Sequence, residues 1–380
     1  MIQIPIEPPV TEYLFRKATR QRIPLGGTFE LTPVCNMDCR MCYVKMSRQQ
    51  QEAIRPLMSA SEWIRLAEKA KEQGMLYLLL TGGEPFSRPD FREIMRGLHE
   101  MGLVLTINSN GTLIDEKTME WLVQTPPVRI NITLYGASDA TYERLCRNPK
   151  GFTRVTKAIR MLRDAGIAVK INCSLTPYNA EDLEGIIGFA REEGLVVQAT
   201  AYMFPPVRRD ASKVGQNDRF TPEEAAYYAA KIEKLLGGPE QFLKRAETLD
   251  FGSIPSDDDT CTDSEGDGIL CRAGKSNFWV TWDGRMLPCG MLPDEGVDLA
   301  KTGFAEAWRQ ITEKVSCIRL PAKCKNCSLK ERCRVCAAMA VTETGHYNQV
   351  PEYRCRMAQE YQNAFLRIAD EIKGEMTDEA

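Results

Sequence analysis

The sequence predicts an α/β protein: an open, partial (β/α)6 barrel with a parallel sheet, followed by a small cysteine-rich domain. Between residues 28 and 203, six short apolar segments alternate with amphipathic helices, as parallel strands require for their crossovers. Six units are too few to close an eight-stranded barrel, so we expect an open one. Nine of the 14 cysteines lie between Cys261 and Cys355, so the composition changes after the alternating region.

The predicted barrel elements are short and separated by turn residues. The strand candidates are Thr28–Thr32, Leu76–Leu80, Val104–Asn108, Arg129–Leu134, Val169–Leu175 and Val196–Tyr202. The helices are predicted to start near Ser59, Pro89, Asp115, Phe152 and Ala180. Ser59 with Glu62 three residues later is a capping-box pattern. Glycines stand where helices must end before a strand: Gly74, Gly102, Gly166 and Gly194.

The chain outside the barrel (28–203) divides into four further segments. They are an N-terminal arm (1–27), a helical linker with an acidic loop (204–260), the cysteine-rich domain (261–358) and a C-terminal helix (359–380). Prolines favour an extended arm with a short helix near Tyr13–Thr19. The cysteine-rich domain contains a predicted β-hairpin whose Asp283-Gly284 pair is typical of a type I′ turn.

Charge and hydropathy exclude several classes of protein. Lys and Arg total 49 against 52 Asp and Glu, a net charge of -3, so no basic excess indicates a nucleic-acid partner. The longest apolar run, Met75–Leu80, is too short to cross a membrane, and the N-terminus lacks the features of a secretory signal. We therefore expect a cytoplasmic protein. Its many thiols indicate soft-metal ligands rather than disulfides.

A compact group of thiols follows the first predicted strand directly. Cys35, Cys39 and Cys42 have the spacing Cys-x3-Cys-x2-Cys. A structural zinc site is the alternative, but closed zinc sites take four ligands and no fourth is nearby. Three protein ligands leave one metal position open for a substrate, so the pattern favours a catalytic iron–sulfur cluster.

The segment around these cysteines, Leu31-Thr-Pro-Val-Cys-Asn-Met-Asp-Cys-Arg-Met-Cys-Tyr43, resembles the signature of the radical S-adenosylmethionine (SAM) enzymes. The resemblance implies a partial six-unit barrel and a [4Fe–4S] cluster on the three cysteines, with SAM chelating the open iron. It also implies reductive cleavage of SAM to methionine and a 5′-deoxyadenosyl radical, which abstracts a substrate hydrogen. Tyr43, which closes the signature, is among the predicted cofactor contacts.

Further SAM contacts are predicted at the carboxyl ends of later strands. Gly82, Gly83, Glu84 and Pro85 resemble the family's second motif, which binds the amino group of SAM, and Glu84 offers a carboxylate to it. The resemblance also places polar side chains at later strand ends, against the ribose or carboxylate of SAM. Our candidates there are Ser109, Thr133 and Asn172, with plain turn chemistry as the alternative for the strand-end loops.

The second cysteine group resembles the SPASM extension of some radical SAM enzymes, although two zinc sites would also fit Cys-x2-Cys pairs. The resemblance implies two auxiliary [4Fe–4S] clusters, hence three clusters in all. One would be held by Cys324, Cys327, Cys333 and Cys355, and the other by Cys271, Cys289 and Cys336. One departure is visible, because two residues rather than three separate Cys333 from Cys336.

The remaining cysteines have different expected roles. Cys261 is the candidate fourth ligand of the Cys271 cluster; without it, that cluster would keep an open iron. Cys146, Cys173 and Cys317 match no ligand position, so buried, inert thiols are the default expectation. No residue is assigned as a substrate base. The Asp that relatives often carry beyond the fourth strand is Tyr135 here.

Three functions are compatible with the motifs. The first is a peptide-modifying maturase that oxidises or crosslinks a residue, as the SPASM resemblance implies. The second is a radical SAM dehydrogenase or oxidative enzyme acting on a small molecule, of aminoglycoside or tetrapyrrole type. The third, a non-catalytic zinc scaffold, leaves the Cys35 loop unexplained. The family implies an external one-electron reductant such as flavodoxin or ferredoxin. For a peptide substrate, either a separate leader-binding protein supplies recognition or the substrate is recognised differently.

Overall fold

The computed structural model describes residues 9–248, 268–294 and 296–378. The strands in this part of the chain are β1 (Gly26–Glu30), β2 (Tyr77–Thr81), β3 (Val104–Ser109), β4 (Arg129–Thr133), β5 (Val169–Ser174), β6 (Val196–Thr200), β7 (Asn277–Val280), β8 (Arg285–Leu287) and β9 (Val297–Asp298). They form one nine-stranded sheet in the order β6-β5-β4-β3-β2-β1-β7-β8-β9. Strands β1 to β6 are parallel, which confirms the predicted partial barrel.

Helices cover one face of this sheet and continue beyond it. The α-helices are α1 (Pro9–Gln21), α2 (Arg48–Ile54), α3 (Ala60–Glu72), α4 (Phe91–Glu100), α5 (Glu116–Leu122), α6 (Asp139–Cys146), α7 (Gly151–Asp164), α8 (Leu183–Glu192), α9 (Pro222–Gly237), α10 (Pro239–Glu247), α11 (Leu299–Thr302), α12 (Phe304–Cys317), α13 (Ala322–Lys325), α14 (Lys330–Cys333), α15 (Ala337–Thr344) and α16 (Glu352–Asp378). Among the helices in these described ranges, none is both long enough and apolar enough to cross a membrane.

The local signals for the barrel helices act as the sequence predicts. The Ser59 hydroxyl accepts the Glu62 backbone N–H, and the Glu62 carboxylate accepts the Ser59 N–H at 2.7 Å, completing the capping box before α3. The glycines predicted to end helices adopt positive φ angles, for example 107° at Gly74 and 73° at Gly102. Side chains larger than hydrogen rarely adopt that conformation, so these glycines fix where the chain turns into the next strand.

The sheet extends further than the alternating pattern indicated. Strand β7 lies parallel to β1, with Gly26 opposite Asn277, so strands of the cysteine-rich region join the barrel sheet through backbone hydrogen bonds. Strands β7 and β8 form the predicted hairpin, but its type I′ turn is wrong. A type I′ turn needs positive φ at two residues, whereas here only Gly284 has one. Thr281 accepts the Gly284 N–H, a type I turn closed by a glycine bulge.

Both terminal helices are longer than predicted. In place of a mostly extended arm, α1 covers 13 residues, because Phe15 and its neighbours bury an apolar stripe; the Phe15 ring lies 5.3 Å from that of Tyr77. Helix α16 begins at Glu352, before the predicted boundary at 359, and packs along α9. Cys355 therefore lies in the first turn of α16. The segment boundaries proposed from the sequence remain predictions.

The two faces of the barrel sheet differ in polarity. Phe29 on β1 packs against Trp63 of α3, with ring centroids 4.8 Å apart, so the face under the helices is apolar. Glu30, next along β1, projects to the opposite face, as do Asn131 on β4 and Asn172 on β5, each of which stands between buried apolar residues. The inner face of the barrel is therefore polar toward the carboxyl ends of the strands.

Candidate functional site

The three-cysteine loop leaves the carboxyl end of β1, as predicted. Cys35, Cys39 and Cys42 are each partly buried, and the Cys42 N–H donates to the carbonyl oxygen of Cys39 at 3.1 Å. Backbone N–H groups also reach two of the sulfurs: Met37 donates to Cys35 Sγ at 3.4 Å and Lys45 to Cys42 Sγ at 3.3 Å. The backbone thus surrounds these sulfurs with donors.

The two glycines of the second motif are required by the cysteine loop. Gly82 has φ 150°, and a side chain there would collide with the carbonyl oxygen of Thr32. A side chain at Gly83 would collide with the carbonyl oxygen of Val34. The Gly83 N–H donates to the Thr32 carbonyl at 2.5 Å. The paired glycines therefore allow the backbone of the second motif to pack closely against the backbone of the cysteine loop.

Glu84 is fully buried and joins two strand-end loops. One carboxylate oxygen accepts the Phe86 N–H at 3.1 Å and the Ser109 hydroxyl at 2.9 Å, and the other accepts the Asn110 N–H at 2.8 Å. Burial raises the pKa of Glu84 to about 7, although these donors oppose the rise. A direct contact between Glu84 and SAM stays a prediction, and in the structure the carboxylate serves to connect the loops. Pro85 begins the 3-10 turn Pro85–Ser87 directly after it.

The Ser109 hydroxyl takes part in the same link between the two strand-end loops. Its hydroxyl donates to Glu84 and accepts the Gly111 N–H at 2.9 Å, and the side chain is buried. Because a hydroxyl has one hydrogen, Ser109 has no further donor for a ribose or carboxylate. Its predicted contact with SAM is thereby restricted to its remaining acceptor lone pair.

Thr133 and Asn172 lie side by side at the end of the sheet, opposite one another in the pairing of β4 with β5. Both residues are partly exposed, yet the Asn172 Oδ1 atom is buried and accepts no hydrogen bond from the described residues. An unpartnered buried carbonyl oxygen is costly unless a donor reaches it. Asn172 is therefore placed to receive a donor from a bound molecule.

Tyr43 lies between the cysteine loop and the linker that follows β6. The Arg208 guanidinium stands 5.6 Å from the centre of its ring, and burial raises the Tyr43 pKa above its ordinary value. Arg208 also pairs with Glu30 at 2.5 Å and donates to the carbonyl oxygen of Gly290 at 2.9 Å. Gly290 follows Cys289, so this arginine links the cysteine loop of the barrel to a loop of the cysteine-rich region.

Cys39 faces a residue that the sequence did not single out as a ligand. Its thiol hydrogen-bonds to Cys146, and this contact together with burial raises the Cys39 pKa well above its usual value. The backbone brings the two together, because the Asp38 N–H donates to the Cys146 carbonyl at 3.0 Å. Tyr135, which replaces the aspartate of some relatives, also hydrogen-bonds to Cys39. Cys146 is buried as predicted, but it contacts a predicted ligand.

The thiols expected to share one auxiliary cluster lie near one another. Burial is the largest cause that raises the pKa of Cys324, and the neighbouring thiols of Cys327 and Cys355 raise it further. Burial likewise raises the pKa of Cys333, and the other three thiols of this group add to the rise. Arg354 holds two of their elements together: it donates to the Cys333 carbonyl oxygen at 3.1 Å and immediately precedes Cys355 on α16. Helix α16 thus carries the last of these thiols back to the others.

The thiols expected to share the other auxiliary cluster surround a small apolar core. Cys271, Cys289 and Cys336 all pack against the buried group that includes Ile269, Leu292 and Val341. The Met291 N–H donates to Cys289 Sγ, and the Met339 N–H to Cys336 Sγ, each at 3.4 Å. Cys261, the candidate fourth ligand, lies outside the described residues.

The predicted ligand thiols fit iron–sulfur ligation by their chemistry, since cysteine thiolates are the usual ligands of such clusters. Within residues 9–248, 268–294 and 296–378, no three Cys, His, Asp or Glu side chains are arranged to hold a metal ion as they stand. Burial raises the pKa of Cys35 to about 12, so a thiolate there needs a nearby positive charge such as iron. Backbone N–H donors reach several predicted ligands, namely Cys35, Cys42, Cys289, Cys327 and Cys336.

Several residues of the site were not predicted from the sequence. Asn36, Asn110 and Thr112 form a hydrogen-bonded group beside Cys35, and Glu30 with Arg208 forms a buried ion pair on the inner face. A signal was present for the first group, since Asn36 adjoins a cysteine and Asn110-Gly111 follows a strand. Arg208 had none, because it lies 178 residues from Glu30 in the chain.

This chain is similar to several known proteins. Residues 29–190 match the Radical SAM superfamily. The AdoMet-dependent heme synthase of Methanosarcina barkeri is 27% identical over 342 residues, covering 86% of this chain and 94% of that protein. The PqqA peptide cyclase of Gluconobacter oxydans is 24% identical, over 84% of this chain and 87% of that one. The structure of Streptococcus suis SuiB bound to precursor peptide SuiA superposes with TM-score 0.64 at 17% identity, covering 92% and 82% of the two chains.

These similarities agree with the fold and with the position of the cysteine loop. The SuiB likeness concerns the fold, since the identity is low. A radical SAM domain uses SAM and a [4Fe–4S] cluster, and the matched range contains the cysteine loop and the strand-end loops described above. Residues 29–190 of this chain therefore match a radical SAM domain, and a cysteine-rich C-terminal region follows them.

Proposed function

We propose that this chain is a radical SAM oxidoreductase that abstracts a hydrogen atom from a residue of a peptide, which is thereby oxidised or crosslinked. The observation that carries the proposal is the packing of the Cys35–Cys42 loop against Gly82 and Gly83 at the carboxyl ends of β1 and β2. The PqqA peptide cyclase relative and the fold of SuiB, solved with its precursor peptide, support a peptide substrate.

In this proposal Cys35, Cys39 and Cys42 hold the SAM-site cluster. When bound, the cluster and SAM supply one-electron cleavage of SAM and a 5′-deoxyadenosyl radical. The chain contributes orientation: Glu84 fixes the Ser109–Asn110 loop against the second motif, and the paired glycines hold that motif to the cysteine loop. Tyr43, Thr133 and Asn172 remain proposed SAM contacts.

The inner face of the barrel favours a ligand rich in hydrogen-bond donors. Three buried acceptor atoms have no hydrogen-bond partner within the part of the chain that the structure describes: Glu30 Oε1, Asn131 Oδ1 and Asn172 Oδ1. The ribose hydroxyls of SAM and the N–H groups of a peptide supply such donors. A substrate recognised through carboxylates would instead need a cation on this face, where Arg208 pairs with Glu30 and the Lys170 amine donates to Gln198 Oε1 at 2.6 Å.

The two auxiliary clusters are part of the same proposal. Cys324, Cys327, Cys333 and Cys355 would hold one, and Cys271, Cys289 and Cys336, with Cys261, the other. Two observations support this division. The first four thiols are close enough to shift the pKa of Cys324 and Cys333, and Cys271, Cys289 and Cys336 pack against one apolar core. Electrons removed from the substrate would leave through these clusters to an external acceptor.

A second candidate function is oxidation of a tetrapyrrole. The favouring observation is the AdoMet-dependent heme synthase of M. barkeri, which is matched over nearly its whole length. The two functions share the SAM chemistry and differ only in the substrate. The further partners that we propose are a one-electron reductant such as flavodoxin or ferredoxin and, for a peptide substrate, a separate leader-binding protein, all in the cytoplasm.

Iron and acid-labile sulfide per chain, measured after anaerobic purification, test the cluster assignment. We expect about 12 iron in the wild type and about 8 in the Cys35/Cys39/Cys42→Ala variant, since each cluster holds four. Cys173→Ala, which removes a buried thiol with no predicted ligand role, is the control and should keep the wild-type value. About 4 iron together with zinc in the wild type would contradict the auxiliary clusters.

A substrate assay separates the two candidate functions. The reduced enzyme is incubated with SAM and either a short peptide encoded beside its gene or a tetrapyrrole, and 5′-deoxyadenosine and product masses are measured. Loss of hydrogen mass from the peptide, coupled to 5′-deoxyadenosine, is the expected result. Turnover of the tetrapyrrole alone would replace the peptide proposal with the second candidate.

A further inference from the structure

A side-chain amide is directed at the first cysteine of the SAM-site loop. Asn110 Nδ2 lies 3.6 Å from Cys35 Sγ and donates to Asn36 Oδ1 at 2.9 Å. The Asn110 side chain is buried, and its backbone N–H is held by Glu84. Asn36 Oδ1 is also within 3.9 Å of the Cys35 thiol. The amide is therefore the polar side chain that faces this sulfur from the third strand.

The orientation of this amide is determined by its partners. Asn110 Nδ2 donates to Asn36 Oδ1, Asn36 Nδ2 donates to the Thr112 hydroxyl at 2.9 Å, and that hydroxyl donates to Asn110 Oδ1 at 2.6 Å. The Thr112 N–H donates to the same oxygen at 2.9 Å. Rotating the amide by 180° would oppose oxygen to oxygen and donor to donor around this ring. The NH2 group, not the oxygen, therefore faces the sulfur.

We propose that Asn110 is a positioning residue that sets the reduction potential of the cluster held by Cys35, through its hydrogen bond to Cys35 Sγ. The inference rests on the proposed function, because it takes Cys35 as a cluster ligand. Reduction adds negative charge to a cluster and its sulfurs, so a donor stabilises the reduced form more than the oxidised form. With the Met37 N–H, Cys35 receives two donors, and this set raises the potential.

Two substitutions separate this role from simple support of the loop. Asn110→Leu removes the donor at similar side-chain size. Asn110→Asp keeps an oxygen for the two Thr112 donors and turns a second oxygen toward the sulfur. The matched control is Asn179→Leu, which changes a fully buried loop asparagine. Asn179 Oδ1 accepts the N–H and the hydroxyl of Thr176, at 2.7 and 2.9 Å. The Asn179 amide donates to backbone carbonyls instead of sulfur.

The measurement is an anaerobic redox titration followed by electron paramagnetic resonance, with iron content determined on each variant. The signal absent from the Cys35/Cys39/Cys42→Ala variant identifies the SAM-site cluster. Because only the difference between the hydrogen bonds of the two oxidation states counts, Asn110→Leu should weaken reduction of that cluster by up to about tenfold, about 59 mV for one electron. Asn110→Asp should lower the potential further, and Asn179→Leu should leave it at the wild-type value.

Each other outcome overturns the inference in a recognisable way. Unchanged potentials in both Asn110 variants would show that the hydrogen bond does not tune the cluster. An equal shift in Asn179→Leu would attribute the effect to general loosening of the barrel loops. Loss of the cluster from both Asn110 variants, with its retention in Asn179→Leu, would mean that Asn110 is needed to hold the ligand rather than to tune it. Absence of the signal from the wild type would refute the proposed function, and this inference with it.

Discussion

Replacing Glu84 with Gln should change how the stability of the cluster-free protein depends on pH. The carboxyl group is fully buried, and its pKa is raised by burial from 4.5 to about 7. The folded state therefore holds a proton that the unfolded state has already lost, so wild-type stability falls as pH rises through this interval. At about 1.4 kcal/mol per pKa unit the whole effect is about 3 kcal/mol, of which about 2.5 kcal/mol develops between pH 5 and pH 8.

Urea unfolding, followed by tryptophan fluorescence at several pH values, measures this linkage. The difference in unfolding free energy, Glu84→Gln minus wild type, should become more positive by about 2.5 kcal/mol from pH 5 to pH 8, whatever its value at pH 5. Glu120→Gln, on the exposed side of α5, controls for the removal of one carboxylate. A constant difference would show that the three donors to Glu84 balance its burial, and a difference that falls with pH would show that they outweigh it.

Other substitutions test the packing around the site. Gly83→Ala should separate the second motif from the cysteine loop and lower iron retention. Gly188→Ala, in a helix with open space around it, should instead stabilise the protein by about 0.5–1 kcal/mol. Iron content and thermal unfolding are measured on both variants. Arg208→Met should cost about 3–5 kcal/mol in unfolding free energy, because among the described residues it leaves the buried Glu30 carboxylate with the Trp279 indole N–H as its one remaining partner. Adding Glu30→Gln to Arg208→Met should recover part of the lost unfolding free energy, measured by urea unfolding. If the effects of the two substitutions simply added, the ion pair between Glu30 and Arg208 would be contradicted.

Local patterns in the sequence were sufficient to predict the barrel and the location of its first site. The period of apolar residues and the helix-ending glycines act within a few neighbours, so the strands and the Ser59 capping box could be found without knowing the fold. The cysteine loop and the strand-end loops come together because parallel strands end at one edge of a sheet. Resemblance to a known family then supplied the chemistry expected of the three thiols.

Contacts between distant parts of the chain could not be predicted in this way. The pairing of β7 with β1 joins residues about 250 positions apart, and no local signal selects the partner of an edge strand. Glu84 shows the same limit at the site: its carboxylate suggested a contact with SAM, but whether it faces a ligand or Ser109 depends on how two loops pack. The hairpin turn was wrong because an Asp-Gly pair suits both a type I′ turn and a glycine bulge.

The position of β1 between β2 and β7 in the sheet has a mechanical consequence. The Cys35 loop extends from the end of β1, Cys289 follows β8, and β7 connects the two strands through backbone hydrogen bonds. The loops that bear these cysteines thus extend from strands of one continuous sheet. Moving the two loops apart as rigid bodies would require breaking the backbone hydrogen bonds between β1 and β7. The spacing between the two cysteine-bearing loops is therefore held by the sheet beneath them.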